Sequence, residues 1–232
     1  MIHILLATHP KLEKYHHWEV IIMRIYRSAS GIYDLLDVLY FNKNGVNPRR
    51  VIMDLIPNAP VKILDMCCGT CSNTLMIAKE KQLTSVIGVD ISPEMLNIAQ
   101  NKAKENNISN LFLMNEDATH TSLFDSSFDF IIIGLVLHEI SPGLTKQILK
   151  EAYRLLKPEG RVIILEWEKQ TSLLRRVKFS PILLMEKVSS KTFTEFYHSD
   201  KNTLFAKYNF NVKKIHHCDY SIVVELIKDN YS

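Results

Sequence analysis

Apolar runs alternate with amphipathic stretches along most of this chain, which is the order typical of a parallel sheet with helices on both faces. The apolar runs predict strands over residues 61–66, 85–90, 111–116, 130–135 and 161–166. The amphipathic stretches predict helices over 70–79, 93–106 and 142–156. The sequence Lys157-Pro158-Glu159-Gly160 predicts a sharp stop after the last of these helices.

The two ends of the chain and one long insertion complete this pattern. Two strand-like runs, 212–217 and 220–227, are so close in sequence that they must pair as an antiparallel hairpin. Residues 1–50 lack the strand alternation and are predicted to form helices over the sheet. The insertion at about 168–209 mixes apolar and basic residues and predicts either a lid over the substrate or a packed surface helix. We expect a lid, because the flanking strands deliver the insertion to the carboxyl edge of the sheet.

Length and composition fit one well-buried domain in a reducing compartment. The chain has 232 residues, of which 47% are hydrophobic, and a formal net charge of +3. This near balance does not predict a broad surface for nucleic acid. Neither a signal peptide nor an apolar run of about 18 residues is found, so we expect a cytoplasmic protein with its four cysteines as thiols.

The segment VKILDMCCGTCSNT, residues 61–74, carries the strongest functional signal. A strand passes through a small-residue turn around Gly69 into a helix, which leaves backbone NH groups free to bind a ligand beyond the strand. The next strand ends in Asp90, and Ser92-Pro93 predicts the start of another helix. An acid at this tip suits the two hydroxyls of a ribose, while the alternative is a cap on the following helix.

This segment resembles motif I of the class I S-adenosylmethionine-dependent methyltransferases, most closely the version in the ubiquinone and menaquinone C-methyltransferase group. The resemblance extends from about Tyr33 to Asp229 and is weakest over 170–208. It is carried by GVDISPEMLNIAQNKA, NEDAT, FDFIIIGLVLHEI and RLLKPEGRVIILEW. It implies a Rossmann-like, seven-stranded, mostly parallel sheet with an antiparallel last strand and helices on both faces. The implied organisation is a helical cap at 1–50 and a methyltransferase domain at 51–232.

The resemblance also implies S-adenosylmethionine as the cofactor and assigns residues to each part of it. Asp65 and the backbone of Cys67 to Gly69 would face the amino-acid end, and Asp90 the ribose. Asp117 and the Ala118 NH would recognise adenine, Ile91 and Met95 would form an apolar bed for it, and Gly134 and Leu135 would pass under the cofactor. The alternatives are that Asp65 caps its own turn and that Asp117 is an ordinary turn residue.

Three residues are candidates for chemistry on the substrate. His138 and Glu139 follow the fourth strand, where the resembled family places the methyl acceptor, and imidazole is well matched to proton transfer near neutral pH. Alternatively, His138 orients a loop or Glu139 caps the helix that begins near Ser141. Tyr33 would either close over the sulfonium or pack in the core.

The spacing of the cysteines allows a metal site, but a turn that binds a cofactor is the better explanation of them. Cys68 and Cys71, with His216, His217 or Cys218, could supply ligands, but the first two lie in the turn that must stay open. We therefore expect no metal. Cys71 departs from the glycine of the family pattern, and a positive φ there would be strained.

The residues after the fourth strand narrow the class of methyl acceptor. The chain lacks the Asn/Asp-Pro-Pro-aromatic and Pro-Cys motifs of enzymes that methylate amide or exocyclic nitrogens and pyrimidine carbons. It also has His138-Glu139 where the quinone group carries Arg-Asn. We expect a small, apolar or aromatic acceptor and no nucleic acid. The basic, apolar insertion could also rest on a membrane surface, but we expect it to be a solvated face. The alternatives are a non-catalytic cofactor-binding protein or partner subunit and a nicotinamide oxidoreductase, and the oligomeric state is left open.

Overall fold

The computed structural model describes residues 46–190 and 192–229. Most of the predicted helical cap, including Tyr33, lies outside these residues. The described elements, in chain order, are α1 (Pro48–Leu55), β1 (Lys62–Met66), α2 (Ser72–Glu80), β2 (Ser85–Asp90), α3 (Pro93–Glu105), β3 (Leu111–Asn115), β4 (Phe128–Gly134), α4 (Pro142–Leu155), β5 (Leu156–Trp167), α5 (Leu173–Ser189), α6 (Phe193–His198), α7 (Lys201–Ala206), β6 (Phe210–His217) and β7 (Ser221–Lys228).

The strands form one seven-stranded sheet in the order β3-β2-β1-β4-β5-β7-β6. β1 to β5 pair in parallel, and β7 lies antiparallel between β5 and β6. The predicted fold class and the terminal hairpin are therefore confirmed. Because β1 pairs with β2 on one side and β4 on the other, the strand order reverses at β1, and ligands bind at such a point outside the carboxyl ends of the strands.

Apolar side chains of the central strands alternate between the two faces of the sheet. Ile131 and Ile133 belong to one core cluster, whereas Ile132 belongs to the cluster on the other face. A third cluster joins Trp167 at the end of β5 to Phe179 and other side chains of the insertion. The insertion is thus anchored at the carboxyl edge of the sheet. Among the described helices, none has the length and apolar character needed to cross a membrane.

The start of β5 differs from its sequence-based prediction. α4 ends at Leu155 as the stop signal requires, but the strand begins immediately at Leu156 rather than at residue 161. Leu156 pairs with Phe128, and the register shifts before Phe130 pairs with Arg161. Gly160 is needed for close packing, because a Cβ there would lie 2.7 Å from Leu156 Cδ1 and 3.0 Å from the Asp129 carbonyl oxygen. The glycine signal therefore marked a bulged strand instead of a turn.

Gly88 in β2 makes room for the cysteine-rich turn. A Cβ at this position would lie 3.0 Å from the Sγ atoms of both Cys68 and Cys71, and 3.1 Å from Leu113 Cδ2. We expect Gly88→Ala to destabilise the protein by about 1–3 kcal/mol, since overpacking forces neighbours from their positions. Urea denaturation would measure this loss. The control is Gly143→Ala, where an added Cβ would lie 3.9 Å from the Ser141 hydroxyl; equal effects of the two substitutions would contradict the explanation.

Candidate active site

The turn after β1 is tied to the tip of β2 by the carboxylate of Asp90. The Gly69 NH donates to Asp90 Oδ2 at 2.8 Å, and the Ser92 NH donates to Oδ1 at 2.8 Å. Ser92 itself is the N-cap of α3, and its hydroxyl accepts from the Met95 NH. Asp90 thus joins the two loops that the sequence predicts around a cofactor. The cap of α3 is Ser92, and Asp90 supports it only through the Ser92 NH; the ribose role of Asp90 stays a prediction.

The thiols of the turn pack against the sheet and leave space beside Gly69. Cys71 is fully buried with a φ of 58°, which is a left-handed conformation that costs about 1–2 kcal/mol for a residue other than glycine. Its Sγ and that of Cys68 lie against Gly88. By contrast, a Cβ on Gly69 would meet nothing within 4 Å. The Cys68 and Cys71 thiols are thus directed at β2, and no described residue beyond the two neighbours of Gly69 fills the space next to its α-carbon.

Asp65 lies at the end of β1 in a buried position. Its carboxylate accepts a hydrogen bond from the Thr74 hydroxyl of α2. Burial is the main reason that the pKa of Asp65 rises from 3.8 to about 7; Asp90 raises it further, while Thr74 and Arg49 oppose the rise. A buried carboxyl group with this pKa can change charge near neutrality when a cationic group binds next to it.

The loop after β3 forms a compact turn at the same edge of the sheet. Asp117 Oδ1 accepts from the Thr119 NH at 2.9 Å and from the Thr119 hydroxyl at 2.7 Å. Ala118 and Met95 are buried, and Ile91 is half-buried. The Asp117 contacts fit its alternative as a turn residue, so the adenine role of Asp117 and Ala118 remains a prediction.

Four predicted acids converge electrostatically on Cys67. Burial is the main cause of the strongly raised pKa of this thiol, and the charges of Asp90, Asp65, Asp117 and Glu139 raise it further. These acids come from the ends of β1 and β2 and from the loops after β3 and β4. The structure therefore brings the separate sequence signals into one acidic region, which suits a positively charged ligand.

The tip of β4 borders the start of α2. A Cβ on Gly134 would lie 3.0 Å from Asn73 Nδ2, so the glycine allows this close approach. Asn73 Oδ1 is buried and has no hydrogen-bond partner among the described residues. Leu135 follows with a φ of 54°, and its NH donates to the Leu165 carbonyl. Asn73 was missed by the sequence analysis because an asparagine in a first helical turn usually signals only a cap.

His138 is held inside the protein by groups on both sides of its ring. Its exposed fraction is 1%, and Nδ1 lies 2.5 Å from Glu166 Oε2. Burial alone would lower the pKa of His138, but Glu166 and Glu186 raise it well above its ordinary value. The Ser190 and Thr192 hydroxyls donate to its carbonyl oxygen at 2.9 and 3.1 Å. These contacts favour the alternative in which His138 positions the loop.

Glu139 is half-buried and lies next to His138. Its Oε1 is 3.6 Å from His138 Nε2, and Glu186 Oε2 is 3.3 Å from the same nitrogen. Ser141 is the N-cap of α4, and its hydroxyl accepts from the Leu144 NH. Glu166 and Glu186 were missed as site residues. The one available signal was a charged residue, Glu166, at the end of an apolar strand.

A cleft of about 300 Å³ lies between the loop after β4 and the insertion. Leu137, Ile140 and Pro142 line one part of it, and residues of α6 and α7 line another. Apolar and aromatic side chains, including Phe196 and Tyr208, are present in its wall. The insertion therefore contributes to a space large enough for a small organic molecule.

Solved structures of methyltransferases share this architecture. A SAM-dependent methyltransferase from Aquifex aeolicus superimposes with a TM-score of 0.62 at 19% identity, covering 85% of this chain and 96% of that chain. A putative S-adenosyl-L-methionine-dependent methyltransferase from Methanococcus maripaludis gives a TM-score of 0.65 at 17% identity, covering 89% and 94%. The fold is therefore the Rossmann-like fold of the class I methyltransferases.

Sequence comparison adds similarity to methyltransferases over part of the chain. Residues 63–160 match the family model described as a methyltransferase domain. A demethylmenaquinone methyltransferase from Staphylococcus saprophyticus is 33% identical over 150 residues, which cover 64% of this chain and 63% of that protein. One from Staphylococcus aureus is 34% identical over 152 residues, covering 65% and 61%. The match spans about three fifths of these relatives, and it confirms the resemblance to class I methyltransferases and to their menaquinone group.

Proposed function

We propose that this protein transfers a methyl group from S-adenosylmethionine to a small, apolar or aromatic molecule. The observation that carries this proposal is the Gly69 turn, which is joined to Asp90 at the reversal of strand order and is open beside Gly69. Methyl transfer from a sulfonium requires alignment and exclusion of water, because the cofactor already carries the activated group. This chemistry needs no covalent intermediate on the protein.

The acidic region supports a cofactor with positive charge. Asp90 would bind the ribose, and Asp65 would lie near the ammonium group of the methionine part, as the family resemblance implies. Asp117 and the Ala118 NH would recognise adenine. The sulfonium and ammonium groups are both cationic, and they would be favoured by the four acids that act on Cys67.

The acceptor class is supported by the surroundings of the loop after β4. The cleft next to Leu137 and Ile140 combines apolar and aromatic side chains with polar and charged ones, such as Glu195 and Lys207, so it can hold a ring that carries polar substituents. The relatives carry the name demethylmenaquinone methyltransferase, so a quinone-like ring is the first acceptor to test. His138 would position the loop, and Glu139 is the half-buried candidate for contact with the acceptor.

Binding of the cofactor is the first test. At a concentration 100 times its Kd, S-adenosylmethionine should stabilise the protein by about 2.7 kcal/mol, which thermal unfolding will show as a higher Tm. Asp90→Asn should remove most of this rise, and the exposed Asp54→Asn should retain it. The demethylated product should act like the cofactor. No shift with either ligand would refute the proposal, and protection by NADH alone would support an oxidoreductase.

Turnover separates the enzyme from a non-catalytic cofactor-binding protein. The burial of His138 favours this second candidate, because no imidazole nitrogen of that residue is presented to an acceptor. A panel of reduced quinone, phenol, amine and thiol acceptors should yield the demethylated cofactor with at least one member, the reduced quinone or phenol being expected. Tight cofactor binding without turnover across the panel would favour the non-catalytic protein.

A further inference from the structure

We propose that His138, Glu139 and Glu186 bind a divalent first-row transition-metal ion. One ring nitrogen of His138 and one carboxylate oxygen of each glutamate lie within 4.8 Å of one another. His138 and Glu139 belong to the loop after β4, and Glu186 belongs to α5 of the insertion. The site would therefore join the insertion to the edge of the sheet.

The spacing of these atoms matches a set of metal ligands. His138 Nε2 lies 3.3 Å from Glu186 Oε2 and 3.6 Å from Glu139 Oε1. Two ligand atoms that are each about 2.0–2.2 Å from one ion, at tetrahedral or octahedral angles, lie about 2.8–3.6 Å apart. One ion can therefore contact all three groups with small side-chain movements.

The buried Nε2 atom of His138, which has no hydrogen bond to any described residue, distinguishes His138, Glu139 and Glu186 from an ordinary acidic cluster. The side chain of His138 is 2% exposed, yet Nε2 has no hydrogen-bond partner among the described residues. The other nitrogen, Nδ1, lies 2.5 Å from Glu166 Oε2. A metal ion bound here would replace the proton on Nε2, while the proton on Nδ1 stays directed at Glu166; the lone pair of Nε2 then points toward the two glutamates, which is the orientation that a metal-binding histidine needs.

The groups around the ligands are also those of a metal site. Glu166 Oε1 accepts from the Leu137 NH at 2.9 Å, which fixes the carboxylate behind the histidine. Glu186 Oε1 accepts from Trp167 Nε1 at 3.0 Å, leaving Oε2 on the side of His138. Such outer hydrogen bonds orient metal ligands and tune their affinity.

Charge also favours a dication at this place. Three carboxylates, those of Glu139, Glu166 and Glu186, surround one imidazole, and a protonated ring would supply a single positive charge. Two of these carboxylates are almost fully buried, where uncompensated charge is costly. An ion with two positive charges offsets this better than one proton does.

The ligand types indicate the class of metal. One imidazole and two carboxylates suit Mn²⁺, Fe²⁺, Co²⁺ or Zn²⁺, whereas Mg²⁺ and Ca²⁺ prefer sites made of oxygen alone. This site is distinct from the cysteine-based site that the sequence suggests: the Cys68 and Cys71 thiols pack against Gly88, and His216 lies 2.8 Å from Glu225 Oε1. This proposal departs from the sequence-based expectation that the protein binds no metal.

Metal titration of the whole chain tests the proposal without any methyl donor. After treatment with a chelator and its removal, the protein should take up one Co²⁺ per chain, seen in the visible spectrum, and one Zn²⁺, seen by calorimetry. Glu186→Gln and Glu139→Gln should each weaken binding more than tenfold. The exposed Glu159→Gln should bind like the unchanged protein. Mg²⁺ should bind far more weakly than Co²⁺.

Three controls distinguish metal binding at this site from unfolding of the variants and from metal binding by the cysteines. Far-ultraviolet circular dichroism in the presence of a chelator should show that the Gln variants are folded. A loss of metal binding in these variants then cannot be attributed to unfolding. Zn²⁺ should raise the Tm of the unchanged protein and not that of Glu186→Gln. The proposal is overturned by the absence of stoichiometric uptake, by uptake that survives both Gln substitutions, or by loss of uptake in Cys68→Ser and Cys71→Ser. The Tm shifts caused by S-adenosylmethionine are measured in the presence of a chelator. The test of the proposed methyl transfer is therefore independent of the test of metal binding.

Discussion

Replacing Glu166 with alanine is expected to lower the free energy of unfolding by about 3–5 kcal/mol. The Glu166 carboxylate accepts from the Leu137 NH and faces His138 Nδ1, and it is 1% exposed. The substitution leaves both groups buried without this partner, and it leaves a cavity at the end of β5. Urea denaturation in the presence of a chelator measures the effect on the protein alone.

The matched control for this substitution is in the same strand. Glu159 is an exposed residue of β5, and Glu159→Ala should change the free energy of unfolding by no more than about 0.5 kcal/mol. Glu166→Gln should fall between the two, because an amide oxygen still accepts from the Leu137 NH. A loss below about 1 kcal/mol for Glu166→Ala would show that this contact does not hold the loop after β4.

Replacing Asp65 with asparagine is expected to stabilise the ligand-free protein, and more so at higher pH. The pKa of Asp65 is about 7 in the folded protein against 3.8 as its usual value. Between these values the folded state binds the proton more tightly than the unfolded chain, so stability falls as pH rises through this range and stays low above it. Asparagine has no charge to bury, and its oxygen can still accept from Thr74.

The measurement compares urea denaturation of both proteins at pH 5 and pH 8. The advantage of Asp65→Asn should grow by about 2–3 kcal/mol between these two conditions. Asp54→Asn, at an exposed position, should show no comparable change. A difference that is independent of pH would mean that Asp65 does not ionise in this range. If Asp65 lies near the cofactor ammonium, the same substitution should weaken S-adenosylmethionine binding, so stability and affinity should change in opposite directions.

Periodicity and capping residues made the sheet predictable from the sequence. The bounds of β2 match the prediction, and Ser92-Pro93 begins α3 as expected. These features depend on neighbours along the chain, such as an N-cap and its third residue. The same reasoning placed the start of β5 too late, because proline and glycine, here Pro158 and Gly160, are also typical of turns. A bulge and a close contact between strands leave no distinct local signal.

The candidate site was predictable where a motif specifies it and obscure where distant residues meet. The turn around Gly69 and its link to Asp90 follow from a strand, a turn and a helix in order. In contrast, Glu166 is 28 residues from His138, and Glu186 is in an insertion with a weak family match. Tertiary packing brings these carboxylates next to one imidazole, and no regular spacing in the sequence predicts this contact.

The position of β7 between β5 and β6 imposes an order on assembly. β6 precedes β7 in the chain but has no direct pairing with β5, so it can join the sheet only with or after β7. During synthesis, β5 would wait with its open side uncovered until residues 221–228 emerge from the ribosome. That interval exposes a row of unpaired backbone groups along β5 of the nascent chain.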